Sequence, residues 1–401
     1  VTLRYGEMLY PDLPQSGANV GMVMMENYRA AHSHDTYIRK GGSEVIQPHF
    51  TFHGYRYIEI TGIDKPLPLE AVQGLVITSI TELTAEYRTS NELVNRLWQN
   101  IVWSKLGNFL SIPTDCPQRN ERMGWSGDIS VFSRTAVYLS NTAGFLARHM
   151  MNMRDTQAAS GRFGDTAPMY GEGFGGLLWG SAGIVIPWEV YLQYGDRRIL
   201  EDNYQAMKSY LHHLDAATDE NGLITDSRLG DWLGPENSKN ENHFLVTAYH
   251  VYDLGIMAQI AAILGRKEDA AEFQHKYQQR KAFFNKHFVN EDYRTTRFDG
   301  KTLIDTQSSY AVGLALGVFS DDALPYARKY LLEAVARENV DDEGELRPPY
   351  TLMTGFIGTA WISTALSESG WDEAAYRLLQ QTEYPSWLYP VIHGATTIWE
   401  R

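Results

Sequence analysis

From Phe50 to Ile60 the chain alternates large apolar or aromatic residues with polar ones, the period-two pattern of a half-buried strand. Leu75–Ile80 reads as a second strand, after a loop punctuated by proline and glycine. Short strands separated by turn signals predict a partial antiparallel β-sandwich over residues 1–88. The period changes near Ser90. Apolar residues then fall at 93, 94, 97, 98, 101 and 102, a helical stripe behind a Ser90-Asn91 cap. Helices dominate from there, near 91–106, 129–139, 142–155, 183–194, 198–217, 244–264, 267–287, 307–318, 321–337, 355–368 and 371–382. Gly265 ends one of them and Glu268-Asp269 opens the next, a helix-hairpin junction. Short and long loops alternate and no repeat of fixed period is visible, which favours a closed toroid over a solenoid. The pattern thus predicts a multidomain, mainly α protein. Residues 1–88 form a β-sandwich segment, and residues 89–401 an α/α barrel with its long loops (111–127, 156–182, 218–243, 340–354, 383–400) gathered at one end.

Composition narrows the function. A net charge of −14 argues against nucleic acid or an anionic membrane as the main partner. No apolar stretch reaches the roughly 18 to 20 residues that span a bilayer. The single cysteine, Cys116, excludes an internal disulfide framework and a cysteine-rich metal site, and it reads as a packed structural thiol. Twelve histidines occur without H-E-x-x-H spacing, so no metal and no cofactor is expected. Trp (10), Tyr (24) and Phe (15) are abundant enough to supply flat faces for sugars as well as a core. The sequence opens on Val1 with no signal peptide and stops at Arg401, so a piece of a longer protein is expected and the compartment stays open.

The densest chemistry lies in Pro113–Asp128, which reads PTDCPQRNERMGWSGD. Asp115, Glu121 and Asp128 share this run with Arg119 and Arg122, and Pro113, Pro117, Gly124 and Gly127 break any helical period. Clustered carboxylates push one another toward the protonated form, while a nearby arginine favours ionisation. Such a cluster can hold one acid and one anion together, the requirement of glycoside hydrolysis. Glu121 is the candidate general acid, with its pKa raised if Asp115 and Asp128 converge on it. The competing reading is an Arg-Glu-Arg surface network with Arg119 or Arg122. The partner carboxylate is open among Asp165, Glu172, Asp231, Glu236, Glu241, Glu345, Glu383 and Glu400. Asp231 and Glu400 stand out because each adjoins a tryptophan. Trp179, set among Gly175, Gly176 and Gly180, is the better ring platform, whereas Trp188 reads as core. Gly171–Gly176 lacks the preceding strand of a dinucleotide fingerprint and reads as a flexible loop.

At these residues the chain resembles bacterial α-L-rhamnosidases of glycoside hydrolase family 78. The resemblance is carried by Gly107–Arg119, Glu121-Arg122 and Gly124–Asp128. Asp35–Ile38, Lys40–Gly42, Phe50–Tyr57, Gly230–Leu233, Thr354–Thr359, Tyr384–Trp387 and Gly394–Arg401 extend it along nearly the whole chain. It implies an (α/α)6 barrel, or six-hairpin toroid, and an inverting hydrolase releasing terminal α-L-rhamnose from glycosides or polysaccharides. Glu121 matches the family's general acid and Glu400 its general base. Asp115, Arg119 and Asp128 match residues that hold the rhamnose hydroxyls, and Trp125, Trp179 and Trp232 match the aromatic wall. Asp231 becomes a subsite residue. An inverting pair stands about 6.5–9.5 Å apart to admit a water. The chain departs from the family pattern at Asn120, where Asp is usual, and at Ser181, where Asp is frequent. Another α/α-toroid glycosidase and a non-catalytic sugar-binding relative are the alternatives; retention of both Glu121 and Glu400 favours an enzyme.

Overall fold

The computed structural model describes residues 1–169 and 175–400. The loop residues Gly171–Gly173, with the candidate Glu172, lie outside the described residues. Packing divides the chain into two compact units, Val1–Thr81 with Lys105–Gly124, and Glu82–Ser104 with Trp125–Arg401.

In the first unit β1 (Thr2–Gly6) lies between β4 (His34–Thr36) and β5 (Tyr57–Thr61), antiparallel to both. β2 (Met8–Leu9) and β3 (Val23–Met24) form a separate ladder. Of the alternating run Phe50–Ile60, only the last part joins the sheet. Phe50 takes a positive φ of 61°. A Cβ on Gly54 would stand 2.9 Å from the Cβ of Gln118, so that stretch is held by side-on packing instead of a ladder. The strand expected over Leu75–Ile80 is also corrected. Its backbone bonds end on one hairpin, formed by β6 (Phe109–Leu110) and β7 (Ile112–Pro113). There Ser79 N donates to Phe109 O at 2.7 Å, and Ser111 N to Ser79 Oγ at 2.8 Å. These bonds, with Lys105 Nζ donating to Ile80 O at 3.0 Å, explain why residues 105–124 pack with the β segment although the helical period begins before them.

α1 (Glu92–Asn108) carries the chain from the second unit back into the first. The second unit continues with α2 (Ser126–Leu139), α3 (Ala143–Asp155), α4 (Leu177–Gly180), α5 (Ala182–Tyr194) and α6 (Arg198–Ala216). Next come α7 (Asn242–Ile263), α8 (Lys267–Phe288), α9 (Gln307–Ala315) and α10 (Leu324–Ala336). A two-residue ladder, β8 (Asn339–Val340) with β9 (Leu346–Arg347), precedes α11 (Phe356–Glu368), α12 (Asp372–Gln380) and α13 (Leu388–Ile392). All the helices expected from the period are present. The additional short ones, α4 and α13, sit in stretches that read as loops. Gly265 (φ 74°) ends the α7 turn and Glu268 and Asp269 open α8, as the junction required.

Neighbour relations make this a barrel. α2, α5, α7, α9 and α11 touch in sequence and α11 closes back on α2. These helices are apolar on most sides; α7 buries Phe244, Leu245, Val246, Tyr249, Leu254 and Met257 among others. α3, α6, α8, α10 and α12 back them with one apolar stripe each; α8 buries only Phe273, Phe284 and Phe288. Val94 and Leu97 of α1 cluster with Leu388 and Val391 of α13. No helix among the described residues is long and apolar enough to cross a membrane.

One buried carboxyl gives the barrel a pH dependence. Asp253 of α7 is wholly buried; Ser181 Oγ donates to its Oδ2 at 2.6 Å, and its Oδ1 has no partner among the described residues. Burial pushes this carboxyl well above the usual range. The sign follows from linkage. A carboxyl raised on folding leaves stability intact below the unfolded value of about 3.9 and removes it as pH climbs toward the folded value. Asp253→Asn, which copies the neutral form, is therefore expected to raise Tm at pH 8 and leave it nearly unchanged at pH 4. Thermal melts at the two pH values check this; an equal shift at both would show that Asp253 is not the titrating group.

Candidate active site

In the first unit the charge-dense run folds into a closed loop. Asp115 N donates to Met123 O at 3.0 Å and Met123 N returns to Asp115 Oδ1 at 2.9 Å, so the residues between them bulge out as one turn. Glu121 projects from it, its carboxylate 3.1 Å from the Arg119 guanidinium and 2.9 Å from that of Arg29. Arg119 also reaches Asp115 at 3.7 Å. Asp115 and Glu121 thus share the Arg119 guanidinium, and burial pushes the Asp115 carboxyl up, with the Glu121 charge adding to that and Arg119 opposing it. Cys116 is buried beside them as a structural thiol, pushed up to about 12 chiefly by burial. Donor atoms of Asp115, Cys116 and Glu121 lie within 4.8 Å of one another. The positive charge beside these carboxylates is supplied by the two guanidiniums.

The Arg-Glu-Arg network weighed against catalysis exists, but with Arg29 in place of Arg122. Arg122, at φ 52°, instead lies 4.3 Å over the Phe52 ring and donates to Phe52 O. Sequence reasoning missed Arg29 and also Glu7, a buried-side carboxyl raised by burial and bonded to Gln118. Both come from the β segment, far along the chain, and no local spacing announces them.

In the second unit the start of α2 carries Trp125 and Asp128. The Trp125 backbone bridges to Thr166, Ser126 N donates to Asp165 O at 2.7 Å and Ser126 Oγ to Gly164 O at 2.9 Å. Asp128 lies in the first turn, where the helix dipole favours a carboxylate. Asp165, a candidate base, is 2% exposed and occupied: it accepts from Arg162 Nη2 at 2.9 Å and from Gly175 N at 2.7 Å. Arg162 in turn binds Asp226 at 2.7 Å.

Trp179 follows on α4, but not as an open platform. It is 2% exposed, stacked on Phe356 with centroids 6.1 Å apart. A Cβ would stand 2.5 Å from its indole at Gly127 and 2.7 Å at Gly175. The surrounding glycines that suggested an exposed ring are the surfaces on which it packs, and its Nε1 has no hydrogen-bond partner among the described residues. Trp232, 42% exposed, and the half-buried Trp125 keep accessible ring surface. Trp188, expected in the core, is 9% exposed. Gly127→Ala is expected to lower Tm by several degrees through overpacking of about 1–3 kcal/mol; calorimetry of the variant measures it, and an unchanged Tm would refute the close approach.

Asp231 departs furthest from its reading as a sugar subsite. It is wholly buried, and its carboxylate accepts from Gly355 N (2.8 Å), Ile357 N (2.9 Å) and Gly358 N (2.8 Å), and from Ser308 Oγ. These donors outweigh neither its burial nor the upward push burial gives its carboxyl. It caps the N-terminus of α11. Through Phe356 N, which donates to Trp232 O at 2.8 Å, the same turn holds Trp232 in place. Ser181 is likewise fully buried and spent on Asp253. Glu236 is 1% exposed and paired with Lys239, and Glu241 accepts from Phe298 N.

Glu400 is exposed at the end of a segment tied to α1. Asn100 Nδ2 donates to Ala395 O at 3.1 Å, and Ile398 N donates to Ser104 Oγ at 2.8 Å. Trp399 beside it is 41% exposed.

Residues 82–401 match the family described as the bacterial alpha-L-rhamnosidase 6 hairpin glycosidase domain, and residues 1–78 the bacterial alpha-L-rhamnosidase concanavalin-like domain. An alpha-L-rhamnosidase of Streptomyces avermitilis is 37% identical over 405 residues, covering 100% of this chain and 36% of its own length. One from Formosa agariphila is 37% identical over 410 residues, covering 100% and 42%. The crystal structure of the Streptomyces avermitilis alpha-L-rhamnosidase complexed with L-rhamnose superposes with a TM-score of 0.88 at 35% identity, over 100% of this chain and 36% of that one. The alpha-L-rhamnosidase of Dictyoglumus thermophilum gives 0.91 at 33% identity, over 100% and 43%. The chain therefore spans well under half the length of these relatives. With both parts matched in order and the helical ring closed, the chain belongs to the bacterial α-L-rhamnosidase family and carries its six-hairpin glycosidase fold.

Proposed function

We propose that this chain supplies the catalytic part of an inverting α-L-rhamnosidase, with Glu121 as general acid and Glu400 as general base. The observation that carries the reading is the setting of Glu121. Its carboxylate stands on an irregular loop beside the half-buried Asp115, between the guanidiniums of its loop neighbour Arg119 and of Arg29 from far along the chain. The Arg29 side chain is 58% exposed, so this ion pair is weakly held and a bound glycoside can displace it. In its protonated form Glu121 gives its proton to the leaving oxygen and becomes the carboxylate that Arg119 holds, while Glu400 takes a proton from the water that attacks the anomeric carbon. Asp115, Arg119 and Asp128 hold sugar hydroxyls. Trp125 and Trp232 offer apolar ring surface to the methyl group of a 6-deoxy sugar. Trp179 and Asp231 act behind them, fixing the turns that present these rings. The substrate class is a glycoside or polysaccharide ending in α-L-rhamnose.

The test is the anomer released first. Proton NMR during cleavage of an aryl α-L-rhamnoside by the intact protein is expected to show β-L-rhamnose before mutarotation. Initial α-L-rhamnose would exclude inversion. Turnover of an aryl α- or β-glucoside without turnover of the rhamnoside would exclude the substrate.

A further inference from the structure

Around the C-terminal halves of α2, α5 and α11, the middle of α7 and the end of α9 lies a recess of about 200 Å³ that opens to solvent. None of Asp115, Arg119, Glu121, Trp125, Asp128, Trp179, Asp231, Trp232 or Glu400 lines it. Trp125, Asp128, Asp231 and Phe356 belong to the opposite, N-terminal ends of these helices. Along α2 alone, Tyr138 of the recess lies about 20 Å from Trp125 at a rise of 1.5 Å per residue.

The lining has a consistent chemistry. Trp188 and Trp361 stand in the wall, each 9% exposed, with Tyr252 between neighbouring helices. The rings are fixed in advance. Trp361 Nε1 donates to Tyr249 Oη at 2.8 Å, and Tyr252 meets Trp361 edge-on at 5.8 Å. Glu189 lines the recess and is 7% exposed, yet makes no hydrogen bond or ion pair among the described residues. Burial pushes its carboxyl up and the charge of Arg134 opposes that. A carboxylate on a largely buried side chain that opens into a recess can accept from a ligand hydroxyl placed there as readily as from water. Arg134 and Gln193 add donors on the same wall. The deep carboxylate and the guanidinium offset one another, which suits a neutral ligand better than an ion. Glu368 at the rim is exposed to solvent. Aromatic faces together with both donors and acceptors fit a molecule that has apolar faces and a belt of hydroxyls.

We propose that this recess is a second carbohydrate site, separate from the catalytic residues, that takes a single neutral pyranose. The ring lies against Trp188 and Trp361, Glu189 accepts from hydroxyls, and Arg134 and Gln193 donate to them. Such a site would let the barrel hold a sugar unit of a longer glycan, or a released monosaccharide, at the end remote from Trp232.

The experiment is a titration of the full chain with methyl α-L-rhamnoside, methyl β-D-glucoside and methyl α-D-mannoside. It is read by tryptophan fluorescence and saturation-transfer NMR, with tetramethylammonium and inorganic phosphate as ionic controls. At least one pyranoside is expected to bind saturably, to persist in Trp232→Ala, and to weaken at least tenfold in Glu189→Gln and in Gln193→Ala. Gln193 is exposed, so its truncation tests the site without threatening the core. The proposal is overturned by absence of saturable pyranoside binding. It is equally overturned by binding that both Glu189→Gln and Gln193→Ala leave intact, by binding abolished in Trp232→Ala alone, or by preference for either ion.

Discussion

Glu121→Gln is expected to lower kcat/KM for a rhamnoside with a poor, alkyl leaving group by about 10³-fold, within the range that general acid catalysis supplies. The effect should shrink as the leaving group improves, because an acidic phenol departs without protonation. That dependence separates a lost acid from a damaged pocket, which would slow all substrates alike. Gln keeps the shape of the side chain and an acceptor oxygen for Arg29 and Arg119, so the loop closed by Asp115 and Met123 should persist. Kinetics on alkyl and nitrophenyl rhamnosides, with circular dichroism as a folding control, decide the matter. A uniform loss across leaving groups would remove Glu121 from the acid role.

The largest effect on stability is expected at Asp231. Its carboxylate satisfies the first backbone N–H groups of α11 and the Ser308 hydroxyl, all in the dry interior. Asp231→Ala leaves these donors unpaired and opens a small void, at a cost of about 3–5 kcal/mol. Each N–H alone would cost less, but they share one acceptor and fail together. The α11 turn also presents Phe356 to Trp179 and binds Trp232 through its backbone, so the loss spreads to the aromatic residues. Denaturant melts should show a large fall in midpoint, and hydrogen exchange should show α11 opening first. Asp231→Asn should be milder, since it retains one acceptor oxygen. If both variants melted like the parent, the capping role would be wrong, and a sugar-facing Asp231 would regain its place.

Much of this organisation is carried by local pattern. The helices follow from the spacing of apolar residues, since a stripe repeating every three or four positions can be buried in only one way. Inner helices such as α7 and backing helices such as α8 are distinguishable by how much of their circumference is apolar. Clustering of Asp115, Arg119 and Glu121 was legible because all three lie on one short irregular run. The strands were less legible: Phe50–Tyr55 and Leu75–Ile80 have strand-like composition, but a ladder requires a partner, and neither the positive φ at Phe50 nor the docking on Phe109 is written locally.

Local pattern was enough for the eleven long helices, the irregular loop with its carboxylates, and the choice of residue types able to do acid–base work. Which groups face one another was settled by packing between distant segments. Arg29 joined Glu121, Trp179 withdrew between two glycines, and Asp231 took the backbone N–H groups at the start of α11. The physical reason is that periodicity records which side of an element is buried, whereas a carboxylate takes its role from the donors and charges that distant segments bring within about 3 Å of it.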